Sequence, residues 1–366
     1  MEEDYRSASK RFWQTIRRLR RGKQCFTNTV YSAGGELLTS TGDVVGWWKE
    51  YFEDLLNPTV TSSDEEAEAG DSEGGSSITQ AEVTEVVRKL LGGKAPGADE
   101  IRLEYLKSLD VVGLSWLTRL CNIEWRSGTV PWIGVVVPLF KKGDRRVCSN
   151  YRGITLLSLP GKVYSRVLER RIRPIVEPWI QEEQCGFCPG RGTLDQLYTL
   201  HRVLEGLWEF AQPAHLCFVD LEKAFDRVPR GALWGVLREY GVWGPLLRAV
   251  RSLYDRSKSL VHITGSKSDL FPVHVGLRQG WPLSPVLFIT FMDRISRRSQ
   301  GPEGVRFGNL RISSAVNNDV VLLASSNQDL QCALGRFAAE CEAAGMRIST
   351  SKSEAMLPRF RSVGSP

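Results

Sequence analysis

The order of the periodic segments constrains this chain most. Short apolar runs of strand length are interleaved with longer segments whose apolar residues recur every three or four positions. Strands are expected at 134–140, 216–220, 260–265 and 271–275, and at the pair 310–316 and 320–324. Helices are expected at 161–177, 193–211, 231–240, 285–298 and 327–344. This mixed order lacks a regular βαβ alternation and any solenoid-type repeat, so it predicts an α+β fold with an antiparallel sheet rather than a doubly wound parallel one. With 366 residues there is room for two or three units sharing substantial cores.

Residues 61–77 divide the chain. Asp64, Glu65, Glu66, Glu68, Asp71 and Glu73 stand there among Gly and Ser with almost nothing apolar to bury, which predicts an acidic flexible linker. Before it, residues 1–60 read as a basic helical extension. Phe12, Trp13, Ile16 and Leu19 fall at roughly helical spacing within 5–23, beside a row of arginines and lysines. A second helix at 46–56 carries Trp47, Trp48, Tyr51, Phe52, Leu55 and Leu56 on one broad apolar face. After the linker, Thr79 with Glu82 three residues on is a capping box that opens a helix, and Gly92 and Gly93 end it. The body of the chain is then 78–366.

Composition narrows the function classes. At 42% hydrophobic and 25% charged the chain is neither disordered nor collagenous, and its net charge of +6 permits a polyanionic partner. No apolar run approaches the roughly 20 residues that cross a bilayer. The longest, 285–292, has eight, and the charged N-terminal thirty residues lack the apolar core of a secretory signal. An intracellular protein of the nucleus or cytoplasm, not secreted and not in a membrane, is expected. The eight cysteines are scattered, so reduced thiols are the default. Cys185 and Cys188 have the spacing of a zinc or redox pair, yet no second pair follows, and His201 and His215 are too far apart to complete a finger. They read as two thiols in a turn.

Chemistry concentrates in three segments. The first runs from Cys217 through Phe218-Val219-Asp220 to Phe225-Asp226 and sets a carboxylate at the end of an apolar strand, where it can project into a cleft toward a hard cation such as Mg²⁺. By itself that segment is more simply read as an Asp that ends a strand or caps the next turn. The second, Lys141-Lys142-Gly143-Asp144-Arg145-Arg146 followed by Asn150-Tyr151-Arg152, is a basic loop suited to phosphates. The third, Gly276-Leu277-Arg278-Gln279-Gly280 with Pro282-Leu283-Ser284-Pro285, is a Gly/Pro turn where backbone can approach a flat ligand closely.

Taken in order with Lys94-Ala95-Pro96-Gly97-Ala98-Asp99, Gly186-Phe187, Pro189-Gly190-Arg191-Gly192-Thr193 and Ser351-Lys352-Ser353-Glu354, these segments resemble the reverse transcriptase domain of LINE-type, non-long-terminal-repeat retrotransposons. The resemblance runs over about 77–357. It implies a right-hand polymerase, with fingers about 78–214 and an antiparallel palm about 215–366, joining deoxynucleoside triphosphates to a DNA primer on an RNA template with two Mg²⁺ ions. Asp220 resembles the first metal ligand, with the carbonyl of Val219 or Leu221 as helper. Phe225 resembles the bulky residue that excludes a ribose 2′-hydroxyl. Lys142 and Arg152 resemble residues that hold the triphosphate, Gln279 and Gly280 those that line the nucleotide and template pocket, and Lys352 the lysine that protonates pyrophosphate.

The same resemblance exposes departures. Ala315-Val316-Asn317-Asn318-Asp319 sets Asn318 where the family has the first aspartate of its second metal segment, so Asp319 is the metal ligand left there beside Asp220. A neutral amide is a poorer ligand than a carboxylate for a cation reluctant to shed water. Asn-Asn still suits a hairpin turn, so the fold can persist while the chemistry fails. Cys188 stands where arginine is usual, Trp281 beside the pocket where a small residue is usual, the stretch at 131–134 is short, and the chain ends too soon after Lys352 for a thumb. The expectation is a decayed or truncated copy with impaired polymerase activity, a pseudoenzyme. The alternatives are a catalytically dead nucleic-acid-binding remnant and a fragment that does not fold stably.

Overall fold

The computed structural model describes residues 29–58, 75–93, 95–129, 132–210, 212–263, 265–302, 305–307, 310–312, 314–316 and 320–356. The helix expected at 5–23 and the linker up to residue 74 lie outside them. The described chain opens with a two-stranded hairpin, β1 (Val30–Tyr31) and β2 (Leu37–Leu38), and helix α1 (Thr41–Leu56). Three helices follow, α2 (Gln80–Lys89), α3 (Leu103–Lys107) and α4 (Val111–Ser127). Next come β3 (Ile133–Phe140), β4 (Tyr151–Leu157), α5 (Leu159–Val176) and α6 (Thr193–Glu209). Strand β5 (His215–Val219) leads into α7 (Ala224–Arg227), α8 (Arg230–Glu239) and α9 (Gly244–Asp255). After β6 (Lys258–Ile263), β7 (Ser266–Lys267) and β8 (Phe271–Pro272) comes α10 (Ser284–Ser299). The last elements are β9 (Val305–Phe307), β10 (Leu310–Ile312), β11 (Ser314–Val316), β12 (Val320–Ala324), α11 (Asn327–Ala343) and β13 (Glu354–Met356).

Two larger sheets organise these elements. One is antiparallel throughout, in the order β11-β12-β5-β13. The other is mixed: β3 pairs antiparallel with β4 and parallel with β6, which in turn takes β7 and β8. The expected antiparallel sheet is therefore present, and the second sheet adds a parallel pair. Sequence reading missed β4, whose run Tyr151-Arg152-Gly153 looks like loop, and β13, which is only three residues long.

Local chemistry explains the helix starts. Thr79 Oγ1 accepts from the Glu82 N–H at 3.3 Å while Glu82 accepts from the Thr79 N–H at 2.8 Å, the reciprocal cap expected there. Asp110 caps α4 at the Gly113 N–H, and Gly128 closes that helix in the left-handed region at φ +58°. Helix α10 carries the longest apolar run, and it is the central helix: Val286, Leu287, Phe288, Ile289, Phe291 and Met292 are all buried. Helix α1 packs on the mixed sheet, where Val44, Trp48 and Phe52 share a cluster with Val136, Val261 and Phe271. A Cβ on Gly153 would come within 2.8 Å of the Phe52 ring, so β4 needs glycine there to admit the helix. Asn57 fastens the end of α1 by donating to Pro272 O and accepting from the His274 N–H, both at 2.9 Å. Among the described residues no helix is long and apolar enough to cross a membrane.

Candidate active site

Asp220 follows directly on β5, whose last residue, Val219, is fully buried. The segment 347–356 runs antiparallel beside it. Glu222 N–H donates to Arg347 O, Ser349 N–H to Asp220 O, and the Asp220 N–H to Ser353 Oγ at 3.2 Å. That pairing carries Lys352 to Asp220 across 132 positions of sequence, and Lys352 Nζ lies 3.0 Å from Asp220 Oδ2. On the other flank β12 pairs with β5, Val320 opposite Val219, and β11 folds back with Val316 opposite Val320. Asn318 and Asp319 lie outside the described residues.

Past Asp220 the chain turns sharply. Lys223 takes a left-handed conformation at φ +50°, and both Asp226 and Arg227 donate their N–H to its carbonyl. Phe225 stacks on Phe288 with ring centres 4.2 Å apart and meets the edge of Phe187 at 6.2 Å. Segment 276–279 is zipped against this turn, for Gly276 N–H donates to Val228 O at 2.9 Å and Leu277 N–H to Phe225 O at 2.7 Å. Gly276 has φ +79°, and a Cβ there would lie 2.6 Å from Asp226 O, so any side chain would push the two segments apart. The zipper ends in a side-chain contact, Gln279 Nε2 to Asp226 Oδ1 at 3.0 Å. Gly280, exposed at φ +115°, comes against the carbonyl of Thr155 on β4.

Electrostatics distinguish the two acids. Burial, the largest influence, pushes the Asp226 carboxyl up, and the bond from Gln279 with the charges of Lys223, Lys141 and Arg152 opposes it. Burial likewise pulls Lys223 down. The Tyr51 phenol on α1 is pushed up to about 12 by burial, then by Cys148 and Asp226, and its ring receives Lys223 Nζ at 5.5 Å. Asp220 is an accessible carboxylate with 29% of its side chain exposed, and its partner is a cation. That suits a ligand position for a divalent ion. Among the described residues no group of three His, Cys, Asp or Glu side chains could hold a metal.

The sequence-derived residues fall into groups. Asp220 and Lys352 meet directly, and Gln279, Gly280 and Phe225 surround the turn after β5. Arg152 is exposed on β4 opposite Leu139. The ladder runs on to Lys141, whose N–H donates to Asn150 O, which sets Lys141 on the face of Leu139 and Arg152. Lys142 is exposed one position further along the loop. Lys141 and Asp226 were not singled out from sequence; the strand alternation through 139–141 is the signal for the first, and nothing short of the fold gives the second. Trp281 turns away from the pocket into the core against Tyr254 and under Arg278, which explains how a large residue fits there. Cys188 is buried, and Arg191 ties its loop by donating to the carbonyls of Gln181 and Gln184.

A groove of about 990 Å³ opens beside Gly280, between α2, β4 and α5. Its polar wall holds Lys89, Lys162, Arg166, Arg170 and Arg173 against Glu169 and Glu177, so cations outnumber acids. Four of the five lie on one face of α5, a row readable at spacings of four, four and three.

The profile of the family described as reverse transcriptase (RNA-dependent DNA polymerase) matches residues 140–365. The transposon TX1 uncharacterized 149 kDa protein of Xenopus laevis is 28% identical over 76% of this chain and 22% of its own length. The retrovirus-related Pol polyprotein from type-2 retrotransposable element R2DM of Drosophila melanogaster is 24% identical over 90% of this chain and 31% of its own length. The RNA-directed DNA polymerase from mobile element jockey of Drosophila funebris is 28% identical over 68% of this chain and 28% of its own length. The chain thus spans less than a third of each of these relatives. It belongs to the reverse transcriptase family, with LINE-type retrotransposon proteins as its relatives.

Proposed function

We propose that this chain is the fingers and palm of an RNA-directed DNA polymerase whose nucleotidyl transfer is absent or severely impaired. The observation that carries the reading is the pairing of β5, which Asp220 follows in sequence, with β12, which three polar residues precede in sequence. In sequence those are Asn317, Asn318 and Asp319. Asp220 and Asp319 would hold Mg²⁺, with Asn318 offering a neutral oxygen where the family has an acid. Ions held there would supply activation of the attacking 3′-oxygen and charge neutralisation at the leaving oxygens.

The remaining roles belong to the chain itself. Phe225, backed by Phe288, excludes a 2′-hydroxyl by steric clash. Arg152 and Lys142, with Lys141, neutralise the triphosphate. Gln279 and Gly280 line the nucleotide and template pocket, and Lys352 delivers a proton to pyrophosphate. The test is extension of a primer on homopolymer RNA with Mg²⁺ or Mn²⁺. Little or no product is expected from the unaltered chain, with recovery on Asn318→Asp; robust extension by the unaltered chain refutes the impairment.

A second reading, a nucleic-acid-binding remnant without catalysis, is favoured by the cationic groove. Affinity for single-stranded RNA is then expected to fall steeply with salt, and Arg166→Gln to flatten the log–log slope by about 0.7. A flat salt response would rule it out.

A further inference from the structure

The geometry points to Asp226 as a positioning residue that fixes which end of the Gln279 carboxamide faces the pocket. This rests on reading Gln279 as part of a nucleotide pocket. A carboxamide has a donor end and an acceptor end of nearly the same shape, and a free glutamine presents either. An ionised carboxylate can only accept. With Asp226 Oδ1 3.0 Å from Gln279 Nε2, the amino end is committed to Asp226 and the carbonyl Oε1 is left for a donor on the ligand.

The surroundings hold both partners in place. Asp226 sits on a helical turn tied to Lys223 O, and the Gly276–Val228 and Leu277–Phe225 bonds fix the segment that bears Gln279 against it. The residue before Gln279 is anchored too, since the buried Arg278 donates to Trp132 O at 2.8 Å. Gln279 is half-buried, so its side chain reaches the pocket without being free to swing. Burial pushes this carboxyl up while Lys223, Lys141 and Arg152 oppose it, and with or without a proton on Oδ2 the Oδ1 atom accepts from Nε2. A side chain that binds a ligand through one atom gains most when its other atoms are already committed.

The full chain is titrated with a fluorescent N-methylanthraniloyl-dATP while the melting temperature of each variant is recorded. Asp226→Leu is expected to weaken binding about fivefold, the loss of one orienting hydrogen bond, and to raise the melting temperature by removing a desolvated charge. Asp226→Asn, whose amide can accept or donate, loses about half as much on the logarithmic scale. In a Gln279→Leu background Asp226→Leu causes no further loss. Affinity falling while stability rises is something a merely structural role cannot produce. Unchanged affinity in both Asp226 variants overturns the proposal, as does an additive loss in the Gln279→Leu background. If the unaltered chain binds no nucleotide, the pocket reading itself falls and the proposal with it.

Discussion

Asp226 and Asp220 stand six residues apart on one connection, yet their settings differ in kind. Asp226 is enclosed by a backbone zipper, a carboxamide and three nearby cations. Asp220 sits at the edge of a strand with an exposed lysine across it. The contrast follows from what each can do. A group that orients a neighbour must be rigid, and rigidity comes from burial and closed hydrogen bonds. One that takes up a cation from solvent must be reachable, with a counter-charge that can leave. Breaking each half separately tests whether they are as independent as the geometry implies.

The enclosed half depends on a buried arginine. Arg230 donates to Tyr254 O, Val273 O, Gly276 O, Val275 O and Ser257 Oγ, tying α8 to the strand and turn that precede Gln279. Arg230→Met leaves several buried acceptors without donors, and a loss of about 4 kcal/mol or more is expected. Urea unfolding measures it, and a loss under about 1 kcal/mol would mean that water replaces the guanidinium freely. Next in size is Phe225→Ala, which removes the ring stacked on Phe288 and is expected to cost about 2 kcal/mol. Ribonucleotide should then bind as well as deoxynucleotide; a retained preference would move the sugar discrimination to another residue.

The same asymmetry decides what could be read without coordinates. Strands β5 and β12, the buried helix α10 and the capping box at Thr79 are written in local periodicity, and each formed where the pattern put it, whereas β13 was missed and the strand expected at 310–316 is divided between two sheets. Asp220 and Gln279 stood out in sequence because their flanking residues make short motifs. The contact between Asp226 and Gln279 spans 53 positions, and that between Lys352 and Asp220 spans 132, so neither leaves a local trace. Strand β4 was hidden for a different reason. Its glycine, which reads as a loop, is there to let Phe52 approach.

A third effect is smaller and has a sign set by linkage. Burial raises the Asp226 carboxyl above its unfolded value of about 3.9, so the folded state holds that proton more tightly. Its contribution to stability is complete below that unfolded value and is lost as pH rises through the folded pKa. Asp226→Asn, which cannot ionise, is expected to match the unaltered chain at low pH and to melt higher at pH 7. Parallel melting curves across pH 4 to 7 would show instead that the three cations cancel the burial.

The smallest effect belongs to the open half. The Lys352–Asp220 pair is 62% and 29% exposed, so water and salt screen it. Lys352→Met is expected to change stability by no more than about 0.5 kcal/mol. It nevertheless removes the positive charge nearest the candidate ligand, so an added divalent ion meets less repulsion at Asp220. Titrating Mn²⁺ by its free-ion paramagnetic signal should therefore show equal or tighter uptake in Lys352→Met than in the unaltered chain. Weaker uptake would mean that Lys352 orients the carboxylate for the ion rather than competing with it. The open half would then be preorganised after all, and the contrast between the two aspartates would be one of exposure alone.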